Sequence, residues 1–197
     1  MLRALQTSPA SYLLLLLITS TSCAGDDAEQ GGNDPTFDIT APGRAAVTTQ
    51  HVMVKSLSDG HSVRGSSATL MRRSDALIVR VHTKALEPAE SVDVFWAIFN
   101  DPSACANPNP LTGAPCSPPD LFIPGTAASL HYVATLTADA HGKLSYSASL
   151  ATGSSAGCID DPFPCNTLKN PAGAEVHAAM FTPNGGPGRQ AAQFLPR

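Results

Sequence analysis

The residues of this chain best suited to chemistry lie in the triplet Glu175-Val176-His177. On a β-strand, residues two positions apart point to the same face, so this carboxylate and imidazole would lie side by side. Such a pair can share a metal ion, or the carboxylate can orient the ring for proton transfer. His131 is a candidate third member and His82 a candidate fourth. In an oxidising compartment, such an imidazole-rich set would suit copper or zinc.

A second interpretation treats these residues as ordinary polar side chains on the solvent face of a sheet, with no cofactor. Nothing in the sequence brings the strands of His131 and His177 into register. The two interpretations differ in whether these histidines lie on neighbouring strands and face the same way.

One further motif is weaker. Gly153-Ser154-Ser155-Ala156-Gly157 matches the G-x-S-x-G pattern of a nucleophile elbow, which requires a helix after the serine. Pro162 and Pro164 follow closely and preclude that helix. We therefore assign no catalytic residue and predict a loop here.

The elements that must position these residues are short segments in which apolar and polar residues alternate. Leu77, Val79 and Val81 fall on one side of a strand and Arg80, His82 and Lys84 on the other, which is typical of a half-buried antiparallel strand. Asp139-Ala140-His141-Gly142 is typical of a short hairpin turn. The predicted strands are 46–54, 67–71, 75–84, 91–99, 127–138, 142–150, 174–181 and a final edge strand at 190–195.

This pattern predicts an all-β chain, folded as a single antiparallel β-sandwich of the Ig-like or Greek-key type with seven or eight short strands. No segment has the period of an amphipathic helix. Two long irregular stretches interrupt the strands, at residues 100–125 and 153–173, and each contains two cysteines. We expect each stretch to be a loop closed by a disulfide.

Four cysteines carry that expectation: Cys105, Cys116, Cys158 and Cys165. An even number in an oxidising compartment indicates two disulfides, for which three pairings are possible. The sequential pairing is favoured because each pair then brackets a proline-rich loop. Four thiolates on one metal ion are the alternative, but neither spacing matches the C-x₂₋₄-C pattern of a zinc site.

The compartment itself is inferred from the first residues. Arg3, the apolar run at 12–18 and the small residues at 19–22 are typical of a secretory signal peptide at 1–22. Cys23 follows directly and is a candidate lipidation site, although Ser20 stands where a lipobox usually has leucine. Residues 23–45 are predicted to be a flexible tether because they are mostly polar and include acidic and glycine residues. The predicted β-domain is 46–197.

The net charge of the chain argues against nucleic acid as a partner. The full chain has a net charge of −4, and removal of Arg3 with the signal peptide makes it −5. A mildly acidic chain without a basic cluster lacks the electrostatic features of a nucleic-acid-binding protein. We therefore expect a protein, glycan or small-molecule ligand, and contact with a membrane only through a lipid on Cys23.

Three segments together resemble a family of uncharacterised secreted bacterial proteins. They are Trp96–Pro102 followed by Cys105, Cys116 followed by Pro119-Asp120-Leu121, and Asn170–His177, which match that family's "FNNP…C…C…DL" and "GAEVH" stretches. The resemblance spans residues 91–188 and supports an exported β-domain without implying an activity. The family often has a second histidine after this strand, and residues 181–187 have none. A fainter similarity is to the chordin-type extracellular domain.

Taken together, the sequence predicts an exported, lipid-anchored or extracellular domain of the cell envelope. Its predicted function is non-enzymatic binding through the disulfide loops, without a cofactor. The alternative is a small copper- or zinc-dependent redox or hydrolytic protein that uses His131, Glu175 and His177.

Overall fold

The computed structural model of the protein describes residues 47–184 and 186–197. The predicted signal peptide, Cys23 and the predicted tether at 23–45 lie outside the described residues.

The described chain forms nine strands in two antiparallel sheets. The strands are β1 (Thr48–Val52), β2 (Lys55–Ser56), β3 (Ser67–Arg72), β4 (Ala76–Thr83), β5 (Ser91–Phe99), β6 (Ala128–Thr137), β7 (Leu144–Ala151), β8 (Glu175–Phe181) and β9 (Gly188–Phe194). One sheet has the order β1-β3-β4-β7 and the other the order β2-β9-β8-β5-β6. Helical geometry in the described residues is limited to 3₁₀ turns at Pro102–Ala104, Pro118–Phe122 and Pro124–Thr126.

The main core lies between the two sheets. Leu70, Leu77 and Val79 of the four-stranded sheet face Trp96 and Ile98 of the five-stranded sheet, and all five are buried. Alternation along each strand produces this arrangement because every second side chain points between the sheets. The predicted all-β antiparallel sandwich is therefore confirmed.

The strand boundaries differ from the prediction in two places. The first predicted strand, 46–54, breaks after Val52, and the chain then crosses to the other sheet as the two-residue β2. This crossing explains why there are nine strands rather than seven or eight. β9 is not an edge strand as predicted, because it pairs with β8 on one side and with β2 on the other.

The predicted hairpin between β6 and β7 is wrong, because these strands belong to different sheets. The turn itself forms as expected. Asp139 Oδ1 accepts hydrogen bonds from the backbone N–H groups of His141 and Lys143, and Gly142 has a φ of +69°. The same local turn chemistry can serve a crossing between sheets as well as a hairpin, so it does not determine which neighbour the next strand finds.

A β-bulge in β6 changes which residues face the core. Pairing with β5 shifts between Val94 and Phe95, so that Ala134 lies opposite Val94 while Tyr132 lies opposite Phe95. The extra residue reverses the alternation at this point. His131 therefore faces the core, whereas simple alternation predicts it on the polar face.

Both predicted disulfides are present, Cys105–Cys116 and Cys158–Cys165. The first closes a loop over the outer face of the five-stranded sheet, where Cys116 and Leu121 pack on Phe99 and Ala128 as a second, smaller core. The loop of the second disulfide lies along the free edge of β6.

Gly157 allows the second disulfide loop to approach the backbone of β6 closely. Its carbonyl accepts a hydrogen bond of 2.7 Å from the N–H of Tyr132, and Ile159 N–H donates to the carbonyl of Leu130 at 2.8 Å. Gly157 has a φ of +69°, and a Cβ added there would lie 2.2 Å from Tyr132 O. Only glycine fits this contact without displacing backbone.

Gly157→Ala is therefore expected to lower the free energy of unfolding by at least about 2 kcal/mol, because it combines a left-handed φ with a backbone clash. Gly153→Ala is the matched control, since Gly153 has a φ of +78° but no atom within 4 Å of an added Cβ. Urea unfolding, followed by the fluorescence of the chain's one tryptophan, Trp96, measures both variants. Equal losses in the two variants would contradict the close approach.

Candidate functional site

Glu175 and His177 open β8 and point to the outer face of the five-stranded sheet. Glu175 lies opposite Phe99, and His177 lies opposite Ala97, on the face that the first disulfide loop covers. His177 Nε2 and Glu175 Oε1 are 2.6 Å apart, and both side chains are buried. The sequence prediction that these two residues lie side by side is confirmed.

Their hydrogen bonds extend to two other elements. Glu175 Oε1 also accepts from the backbone N–H of Cys116 at 3.2 Å, which ties the disulfide loop to the sheet. On the other side of the ring, Gln193 Nε2 lies 3.3 Å from His177 Nδ1. Because the amide nitrogen can only donate, Nδ1 accepts and Nε2 carries the proton that it donates to Glu175. The chain of contacts therefore runs from the loop through Glu175 and His177 to Gln193 on β9.

The buried Arg72 holds the segment that precedes Glu175. From β3, its Nη1 donates to the carbonyls of Pro171 and Ala174 at 2.6 and 2.8 Å, and its Nη2 donates to the carbonyl of Leu195 at 2.7 Å. Burial, together with the positive charge of Arg197, lowers the pKa of Arg72 to about 10, so the group stays charged at neutral pH. Arg72 thus joins the four-stranded sheet to the end of the β8–β9 pair at which β8 begins and β9 ends.

Asp120 likewise holds backbone segments together, here within the first disulfide loop. Its Oδ1 accepts from the N–H groups of Ala106 and Asn107 and from Asn107 Nδ2, and its Oδ2 accepts from the N–H of Ser117 at 2.9 Å. Burial acts to raise the pKa of Asp120, but these hydrogen bonds outweigh it and the net pKa is lowered. The carboxylate is fully buried and fixes the backbone directly after each cysteine of the first disulfide.

A cleft of about 320 Å³ lies where that loop meets β1 and β9. Residues 112–114 of the loop form one wall, and the apolar side chains of Val52, Met53 and Leu195 line the opening. Met53 and Leu195 are exposed, at 49% and 43%. Gln193, which contacts His177, also lines this cleft, so the network around Glu175 lies directly beneath it.

Five of the eleven residues that line the cleft are polar: Gln50, Lys55, Ser62, Thr112 and Gln193. Gln50 and Gln193 both line it, and the side-chain carbonyl oxygen of each is buried with no hydrogen-bond partner among the described residues. Lys55 is the only charged side chain among the described residues that line the cleft. Its Nζ donates to the carbonyl of Leu111 at 3.3 Å, and no ion pair of the described residues includes it.

The structure keeps His131 apart from this site. His131 lies opposite Trp96 of β5, whereas His177 lies opposite the next residue, Ala97, so the two rings point to opposite faces of one sheet. His131 Nδ1 donates to the carbonyl of Ala156 at 2.9 Å, and Nε2 accepts from the Ser129 hydroxyl. Burial lowers the pKa of His131, which favours the neutral ring. Its contacts tie the second disulfide loop to β6.

The metal-ligand set predicted on His131, Glu175 and His177 is therefore not brought together. His82 is also remote, on the exposed face of β4, where its Nδ1 lies 2.8 Å from Ser145 Oγ. Among the described residues, no group of three or more His, Cys, Asp or Glu side chains is arranged to hold a metal ion.

Sequence reasoning missed three residues on which this region depends. A sequence pattern does point to Asp120: Ser117-Pro118-Pro119-Asp120 has the S-x-x-[DE] pattern of a capping box, with proline at the first helical position. No sequence pattern points to Arg72 or Gln193. Their partners lie far away along the chain and are defined only by the fold.

Comparisons with known proteins give no match: no family model fits the chain, and no curated protein or solved structure is significantly similar to it. The resemblance to secreted bacterial proteins stays a prediction. Among the described residues, no helix has the length and apolar character needed to span a bilayer.

Proposed function

We propose that the protein is an exported, lipid-anchored, non-enzymatic binding domain whose ligand is a small amphipathic carboxylate. The observation that carries the proposal is the cleft beside the first disulfide loop, with one cation and an apolar rim. The carboxylate pairs with Lys55, and the apolar part lies against Val52, Met53 and Leu195.

The size and lining of the cleft support this ligand class. About 320 Å³ is at the lower end of the range for small-molecule sites, which combine apolar walls with a few polar groups. A lysine without a carboxylate partner at the end of an apolar surface favours an anion that has an apolar tail. The ligand is accordingly small, with about as many carbon atoms as a short fatty acid.

The surroundings of Glu175 and His177 support binding over catalysis. The Nε2 proton of the ring goes to Glu175, Nδ1 accepts from Gln193, and the ring is only 7% exposed. The pair thus holds the disulfide loop and Gln193 in place beneath the cleft. A copper or zinc protein would have to rely on Glu175 and His177 without His131, which faces the core.

Export and lipidation rest on the N-terminal pattern and on the two disulfides, which persist in oxidising compartments. Growth with a radioactive fatty acid tests the anchor. Label should enter the chain, and label that persists in Cys23→Ala would contradict lipidation at this residue.

The ligand class is tested by NMR titration of the ¹⁵N-labelled chain with hexanoate and with the uncharged, equally long 1-hexanol. Hexanoate should shift the amides of residues 112–114 saturably and bind roughly ten- to a hundredfold more tightly than hexanol, because the charged hydrogen bond to Lys55 contributes about 1.5–3 kcal/mol. Lys55→Met should abolish that preference.

Lys143→Met is the matched control, because it removes the same charge from an exposed lysine on the β6–β7 turn, outside the cleft. It should leave the preference for hexanoate unchanged. No saturable shift at the cleft, or equal affinity for hexanoate and hexanol in the unmodified chain, would contradict the proposed ligand class.

A further inference from the structure

The free edges of the two sheets are protected to different degrees. A sheet edge offers unpaired N–H and C=O groups to other chains, and proteins shield it with short strands, bulges or covering loops. β1 has five residues, and β2 has two and is followed by a loop that pairs back on it. β6 contains a bulge, and the second disulfide loop covers Leu130 and Tyr132. The edges at β2 and β6 are thus shielded, and β1 is three residues shorter than β7.

β7 lacks these features. Its eight residues pair with β4 without a bulge, and they include no charged residue and no proline. Among the described residues, the only backbone group of β7 with a backbone partner outside β4 is the carbonyl of Ala151, which accepts from Ser154 N–H. The strand therefore presents a long, straight and uncharged edge.

The sequence of β7 is also complementary to itself. Residues 144–150 read Leu-Ser-Tyr-Ser-Ala-Ser-Leu, and Ser147 is at the centre. If two copies pair antiparallel about Ser147, leucine meets leucine and serine meets serine. Tyr146 of each copy meets Ala148 of the other, which places a large side chain against a small one. Residues opposite each other in an antiparallel pair share a face, so the serines stay on the solvent side.

We propose that the protein forms a symmetric dimer through β7, in which the two four-stranded sheets join into one continuous sheet of eight strands. The two-fold axis passes through the pair of Ser147 residues. Tyr146 and Ala148 are each half-buried in the single chain and would be covered in the dimer. Backbone hydrogen bonds across the axis satisfy the exposed groups of the edge. This dimer is independent of the proposed ligand.

Analytical ultracentrifugation of the exported full chain tests the dimer. Cys23→Ser is included throughout so that a lipid cannot drive association. Ser147→Lys places two like charges opposite each other at the axis, on an exposed position that the fold does not need. It should raise the dissociation constant of the dimer roughly five- to tenfold or abolish the dimer.

Thr49→Lys is the control, because it adds the same charge to an exposed position on β1, at the opposite edge of the same sheet. It should leave the dimer intact. A chain that remains monomeric up to its solubility limit would overturn the proposal. So would a dimer that withstands Ser147→Lys or that Thr49→Lys disrupts.

Covalent trapping gives a second measurement that does not depend on affinity. Residues directly opposite each other across an antiparallel pair have Cα atoms about 4.5–5.5 Å apart, which is within the range of a disulfide. Ser147→Cys should therefore give a disulfide-linked dimer on non-reducing gels, whereas Thr49→Cys should stay monomeric. Equal cross-linking of both variants would indicate random collision and overturn the assigned axis.

Discussion

Replacing Arg72 with methionine is expected to lower the free energy of unfolding by about 3–5 kcal/mol. The guanidinium donates three hydrogen bonds to the carbonyls of Pro171, Ala174 and Leu195. Methionine fills similar space but donates none, so the carbonyls of Pro171 and Ala174 would lose a buried partner and that of Leu195 a part-buried one.

The structural consequence follows from where those carbonyls lie. Pro171 and Ala174 precede β8, and Leu195 follows β9, whereas Arg72 ends β3 in the other sheet. Loss of the guanidinium therefore loosens the attachment between the sheets at the end where Glu175 begins β8. Weaker ligand binding in the cleft should accompany the lower stability.

Arg72→Lys separates charge from geometry. It retains the positive charge but has no planar fork, so it cannot reach three carbonyls at once, and we expect a loss of about 2–3 kcal/mol. Arg73→Met is the matched control, because Arg73 is the next residue and its side chain is exposed. Urea unfolding followed by Trp96 fluorescence gives all three values. A loss below about 1 kcal/mol in Arg72→Met would contradict the assigned role.

The alternation of residues was sufficient to predict the sandwich, because the pattern of each strand depends on neighbours two positions away. The partner of each strand was harder to predict. The turn at Asp139–Gly142 has the local hydrogen bonds expected of a hairpin turn, yet it leads to the other sheet. The choice between the two depends on the whole set of strands.

Prediction of the candidate site likewise succeeded within one strand and failed between strands. Glu175 and His177 were correctly placed side by side because they are two residues apart on one strand. His131 was placed on the wrong face because the bulge between His131 and Ala134 reverses the alternation. No residue in that stretch marks a bulge, since neither glycine nor proline occurs in β6. Sites that span several strands depend on such irregularities.

The final prediction concerns Asp120, whose carboxylate accepts four N–H groups and is fully buried. Asp120→Asn is expected to cost about 2–4 kcal/mol at neutral pH. In asparagine an NH₂ group replaces one of the two carboxylate oxygens. This NH₂ group must face either the N–H of Ser117 or the N–H groups of Ala106 and Asn107, and two donors that face each other cannot form a hydrogen bond. Bonds to a charged acceptor are also stronger than those to a neutral one.

The pH dependence follows from the lowered pKa of this carboxyl. A carboxyl that titrates lower in the folded chain than in the unfolded chain stabilises the fold above its unfolded pKa, about 3.9. That contribution disappears as the pH falls through the folded pKa. The stability difference between the unmodified chain and Asp120→Asn should therefore be constant from about pH 7 to 5 and should shrink below about pH 4.

Asp101→Asn is the matched control. Asp101 belongs to the same loop and accepts two hydrogen bonds from Ser103, but its side chain is exposed. This substitution should change stability little at any pH. A second readout follows from the contacts of Asp120 with Ala106 and Ser117, which directly follow the two cysteines of the disulfide. When its carboxylate is lost, the wall at residues 112–114 should move and hexanoate should bind more weakly. If Asp120→Asn lowers stability but leaves hexanoate affinity unchanged, Asp120 stabilises the fold and other contacts hold residues 112–114 in place. That result would contradict the predicted effect on the cleft.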